Sequence, residues 1–245
     1  MITKYMRTPE KLYEFHVKNL RAIDNAIECV SRPFRIAISQ GEEDTIFTFV
    51  RLYAFLVGAW AECRLRKLIY EPRSFTEHER NIIRSKDAQL DKWLAAVELA
   101  FRSQYGVHRA ELSEDTLSHA TYSRFTTLQS MLDQDLRSII GLRNKLAHGQ
   151  WAYPLNSDEN DIAQEQMDAL RTENLLSLQF KRSLISYLSD AIHDLIVSRP
   201  TFERDFDEHY RAIVNTRRNL RTRDYTKYVS QLQDKYERGK VRRNP

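Results

Sequence analysis

Chain breakers are rare in this sequence: six glycines and six prolines are spread over 245 residues. Between them, apolar side chains recur at spacings of three and four, a period that places one stripe on one face of a helix. The chain is therefore expected to be all-α, an up-and-down helical bundle of about five long helices followed by a basic helical C-terminal extension.

The breakers and caps locate these helices. Thr8 and Pro9 supply a capping hydroxyl and a first-turn proline. The stripe Tyr13, His16, Leu20, Ile23, Ile27 and Val30 follows and is expected to end near Pro33. His16 lies on that stripe and reads as a core or interface histidine. Gly41 precedes a second helix over 42–71, stopped by Pro72. Ser74 with Glu77 reads as a capping box opening a third helix that Gly106 ends. A fourth helix, over 122–148, would be closed by Gly149 in the left-handed conformation. Residues 151–161 read as a loop, and a fifth helix from about 162 or 167 runs to 198, closed by Pro200. The chain thus divides into an N-terminal helix (1–40), a helical domain (41–198) and the extension (199–245).

Composition narrows the function classes. An apolar fraction of 42% with 29% charged residues suits a soluble protein with an ordinary core. The longest uncharged apolar run, 52–61, is far shorter than the roughly 20 residues that span a bilayer. The first residues contain no apolar secretory segment. A cytoplasmic location without a membrane partner is expected. Cys29 and Cys63 sit inside helical patterns and are expected to be buried thiols, not a disulfide. There is no Cys/His spacing suited to a metal, no glycine-rich phosphate loop and no Gly-x-Ser-x-Gly, so neither metal nor cofactor is expected.

Charge is uneven. Residues 209–245 carry eleven Lys/Arg against three Asp/Glu, whereas the whole chain is only +4. A basic tail on a mildly acidic body suits a polyanion, and Arg217, Arg218, Arg221 and Arg223 are its nucleic-acid-binding candidates. A solvated tail has the same composition. Tyr225, Tyr228, Leu232 and Tyr236 recur at helical spacing and read as packing on the body in preference to base stacking.

The fourth helix ends in Leu142, Arg143, Asn144, Lys145, Leu146, Ala147, His148 and Gly149. Asn144 and His148, four apart, share a helix face, with Arg143 about 100° around. A guanidinium can neutralise phosphoryl charge and an imidazole can move a proton near neutral pH. Arginine followed by histidine after four to six residues is itself a weak signal. The composition predicts roughly two such pairs by chance; four occur, at Arg73/His78, Arg102/His108, Arg143/His148 and Arg204/His209. Context selects Arg143/His148, which follows a long amphipathic helix and has a polar residue right after the arginine. Basic side chains in a last turn also favour the negative end of the helix dipole, so the same residues have a purely structural explanation.

This stretch resembles the HEPN superfamily, whose hallmark is arginine, four to six residues, then histidine at the end of a helix in an all-helical body. The likeness covers about 42–198, sharp over eight residues and loose elsewhere. It implies a homodimer with two motifs in one cleft. It also implies a metal-independent endoribonuclease, of the kind found as toxins and antiviral-defence effectors and silenced in some systems by an antitoxin or sensor partner. Carried over, Arg143, Asn144 and His148 would be catalytic, with Glu62 and Lys145 in support. Glu62 is equally placed to pair with Arg66 one turn on. Where a subset of HEPN toxins has a tyrosine two residues after the histidine, this chain has Gln150. RNA carries its own nucleophile, the 2′-OH, so proton transfer and charge stabilisation suffice for cleavage. One motif holds one histidine while the reaction needs an acid and a base, which gives a physical reason to expect a dimer. The alternative is a catalytically inactive HEPN-like dimer that binds nucleic acid or protein.

Overall fold

A computed structural model describes residues 7–243 of the chain, with side chains as far as Gly239. The outer ends of the N-terminal helix segment (1–6) and of the extension (244–245) lie outside the described residues. The protein is all-α. Nine helices occur among the described residues: α1 (Pro9–Gln40), α2 (Glu43–Ile69), α3 (Glu77–Arg84), α4 (Gln89–Tyr105), α5 (His119–Ala147), α6 (Gln164–Thr172), α7 (Leu175–Val197), α8 (Arg199–Thr222) and α9 (Tyr225–Arg243). The described residues contain no strand, only a single bridge between Leu155 and Ile162.

Several boundaries differ from those read in the sequence. Helix α1 continues through Pro33 to Gln40. Proline in a helix interior costs roughly 3 kcal/mol, and here Phe34, Ala37 and Ile38 extend the buried face beyond it. The capping box is Thr76 with Glu79, not Ser74 with Glu77. Ser74 instead donates its hydroxyl to the Glu71 carbonyl at 2.6 Å, closing the end of α2, with Arg73 in the left-handed region at φ 65°. The expected third helix is two, α3 and α4, broken at 85–88. The fifth is also two. Asn174 and Ser177 cap α7 reciprocally, each backbone N–H meeting the other's side-chain oxygen at 2.9 and 3.0 Å. Pro200 does not end a helix but begins one: it occupies the first turn of α8, where its missing N–H has no partner to lose. Cys29 is exposed and Cys63 half-buried. The expectation of two buried thiols fails because Cys29 is two residues past buried Ile27, on the opposite side of α1.

The chain forms two compact units, each a helical bundle. The first comprises Met1–Ala22, Trp60–Arg137 and Ile185–Ile213; the second comprises Ile23–Ala59, Ser138–Leu184 and Val214–Pro245. Helix α2 is long and apolar enough to cross a bilayer by composition, but half of its most apolar window is buried in the fold, as befits a core helix.

In the first unit, Phe101 is fully buried and meets Phe125 and Phe202 edge-on at 5.1 and 5.6 Å, so α8 begins as a core helix. Glu71 accepts from Tyr13 at 3.0 Å and Lys67 at 2.7 Å, with His193 3.7 Å away. Burial alone would raise this carboxyl, but nearby His193 and the hydrogen bonds from Lys67 and Tyr13 hold it at about 2. Its folded pKa lies below the unfolded one, so its stabilisation is complete above about 4.5 and disappears as pH falls towards 2. In acid titration of unfolding, Glu71→Gln is expected to remove part of the stability lost in that window, and an unchanged acid limb would refute this.

The second unit buries Ile27, Phe34, Ile38, Tyr53, Val57, Leu142, Leu146, Leu175 and Leu178. Arg182 pairs with Asp24 at 2.6 Å. The carboxylate of buried Glu173 is met by Lys181 and by the Ser177 hydroxyl.

Candidate functional site

The Arg143–His148 motif lies wholly in the second unit, where α5 ends. The end is a Schellman motif: Gln150 N–H donates to the Lys145 carbonyl at 3.0 Å and Gly149 N–H to the Leu146 carbonyl at 3.2 Å. Gly149 has φ 77°, the left-handed conformation expected of it. The cap fixes the backbone on which His148 sits, and the imidazole-bearing residue is exposed.

Arg143 is half-buried, with its Nε inside the protein. Its Nη1 donates to Asn144 Oδ1 at 3.1 Å. The sequence placed Asn144 on a face with His148; the bond made by its side-chain oxygen is to its chain neighbour Arg143. Gly58, in the middle of α2, sets where the arginine stem runs. A Cβ at Gly58 would lie 2.4 Å from Arg143 Cβ and 2.7 Å from its Cγ. Sequence reasoning missed this residue. A glycine inside an apolar helix does signal close backbone approach, but it does not say to what.

The other candidates are placed differently. Lys145 Nζ donates to the Leu155 carbonyl and so holds the following loop. Glu62 belongs to the first unit, where its carboxylate accepts from Arg66 at 2.6 Å. Arg218, Arg221 and Arg223 are exposed and Arg217 is half-buried. Among the described residues, no three His, Cys, Asp or Glu side chains cluster closely enough to hold a metal ion.

The loop after the motif is tied down at several points. Leu155 N–H donates to Gln150 Oε1 at 2.8 Å, Trp151 Nε1 to the Leu146 carbonyl at 2.9 Å, and Ala163 N–H to the Pro154 carbonyl at 2.8 Å. Arg51, only 7% exposed, donates from Nε to the Trp151 carbonyl at 2.6 Å and from Nη1 to the Phe47 carbonyl at 3.1 Å. Burial lowers its guanidinium to about 10, so it remains charged at neutral pH. Hydrogen bonds from charged groups contribute about 1.5–3 kcal/mol. Arg51→Ala is thus expected to destabilise by about 2 kcal/mol and to open residues 151–161 to hydrogen exchange; an unaltered exchange pattern there would show that Arg51 is not the tie. The loop presents Tyr153, 64% exposed.

No protein-family model matches this chain, and no curated protein or solved structure matches it either.

Proposed function

We propose that the protein is a metal-independent endoribonuclease of the HEPN type, cutting single-stranded RNA by attack of a 2′-OH on the adjacent phosphate. His148 transfers the proton, Arg143 binds the phosphate and stabilises the extra transition-state charge, and Asn144 orients the guanidinium it accepts from. The observation that supports this reading is an arginine whose stem is packed on Gly58, five residues before an exposed histidine at a capped helix end. Such preorganisation is what charge stabilisation requires. Acid and base come from two copies of the chain, so the active form is a homodimer. Its setting is cytoplasmic, as a toxin or antiviral effector restrained by an antitoxin or sensor partner.

The test uses purified protein with EDTA and a labelled RNA. Products should end in a 2′,3′-cyclic phosphate and a 5′-OH. A single 2′-deoxy substitution at the cut position should block that cut. Cleavage through the deoxy position would sink the mechanism.

A second reading, a catalytically silent helical dimer, draws on the same close packing: Arg143 held between Gly58 and Asn144 also suits a structural role. Absence of any cleavage by a dimeric, folded protein would select it.

A further inference from the structure

Within the second unit, the last turns of α1 and helix α9 line a groove of about 430 Å³. Its walls carry Arg32 and Arg35 from α1 and Lys235, Tyr236 and Gly239 from α9, over Leu232, which is 8% exposed. Among the described residues, no carboxylate lines it. Arg32 and Lys235 are exposed, whereas Arg35 and Tyr236 are half-buried. Arg35 lies beside the Tyr228 phenol: burial raises that phenol's pKa, and the guanidinium works against the rise. Three cations facing one groove repel one another unless an anion occupies it. Arg32 and Arg35, three apart, lie on one helix face, and Lys235 and Tyr236 adjoin on the other wall.

We propose that this groove holds the sugar–phosphate backbone of single-stranded RNA, with phosphates on Arg32, Arg35 and Lys235 and a base stacked on Tyr236. A cationic track with an aromatic platform is the combination that suits single strands. An acidic peptide would satisfy the cations but leave the flat ring without a partner. A strand fits better than a lone nucleotide because a second groove, where α9 begins, is also lined by cations, Arg223 and Lys227, with Asp224. The proposal rests on the RNA reading above and names where the strand is gripped; no residue of the groove belongs to the motif. It also adds to the basic contacts. The sequence pointed to Arg217, Arg218 and Arg221 of α8 and to Arg223 just after it, while this groove pairs α9 with residues about two hundred positions earlier.

The test measures binding of a fluorescein-labelled single-stranded RNA of about twelve nucleotides to full-length protein carrying His148→Ala, so that the strand stays whole. Adding Arg32→Ala and Lys235→Ala should weaken binding at least about tenfold and lower the log–log salt slope by about 1.4, since each phosphate contact on a single strand contributes about 0.7. Tyr236→Leu should cost at least about fivefold with the slope unchanged. Gly239→Glu puts a negative charge where an added Cβ meets nothing within 4 Å, and should weaken binding about tenfold. Lys18→Ala with Lys86→Ala removes two exposed charges elsewhere and should change binding less than about twofold.

Four results would overturn the proposal: no RNA binding, an unaffected Arg32/Lys235 double variant, equal weakening by the Lys18/Lys86 control, or a mononucleotide competing as well as the strand. Cleavage is assayed separately with His148 intact. Groove-dependent binding without cleavage keeps this site and discards the nuclease. Cleavage with groove-independent binding does the reverse.

Discussion

His148→Ala is expected to leave the protein folded and to reduce RNA cleavage by about 10²–10⁴-fold, the usual contribution of one positioned acid or base. The residue follows the last turn of α5 and is exposed. Truncation there should shift stability by no more than about 0.5 kcal/mol. Arg143 differs because its side chain is half-buried. Arg143→Ala should lose both activity and some stability. Arg143→Lys should fall between, keeping the charge but losing the planar fork that grips phosphate. Single-turnover cleavage beside thermal melting separates the two effects. A His148→Ala protein that cuts at the wild-type rate would end the assignment of this residue, whatever the fold of the variant.

The second large effect is expected at Gly58, where α2 meets the Arg143 stem. Any side chain places a Cβ 2.4 Å from Arg143 Cβ, a separation that real atoms do not adopt. Gly58→Ala gains about 1 kcal/mol of helix propensity, but overpacking typically costs about 1–3 kcal/mol. Gly58→Val adds bulk to the same collision and should destabilise by about 3 kcal/mol or more. At about 2–4 °C per kcal/mol for a chain of this size, melting should fall by roughly 10 °C. Cleavage should fall as well, since an error of about 1 Å in a catalytic group can cost about 10²-fold. The double variant Gly58→Ala with Arg143→Gly removes both arginine carbons that the added Cβ would strike. It should recover part of the stability and none of the activity. Purely additive losses would show that the two positions do not touch.

Much of the fold was legible because local chemistry decided it. Thr8 and Pro9 open a helix, Pro72 lies just beyond the end of one, and Gly106 and Gly149 cap theirs with φ of 71° and 77°. Errors arose where two local signals competed. Ser74/Glu77 and Thr76/Glu79 both fit a capping box, and only the turn at Arg73 decides between them. Pro33 is a breaker by its own chemistry, yet the buried Phe34 beyond it, stacked on Phe49 at 5.6 Å, keeps the helix going. The motif's neighbourhood was legible along the chain and illegible across it. Asn144 was named beside Arg143, whereas Gly58 and the Arg32–Lys235 groove depend on which helices become neighbours, and no spacing encodes that.

The chain passes from one unit to the other at 22/23, 59/60, 137/138, 184/185 and 213/214, and every one of these points falls inside a helix. Scissors are therefore the wrong tool for assigning roles to parts of this molecule. Removing residues 199–245 would not trim an appendage: it would pull fully buried Phe202 from one bundle and Leu232 from the other. A chain shortened in this way should come out of cells as aggregates, and charge reversals within the intact chain are the way to dissect it.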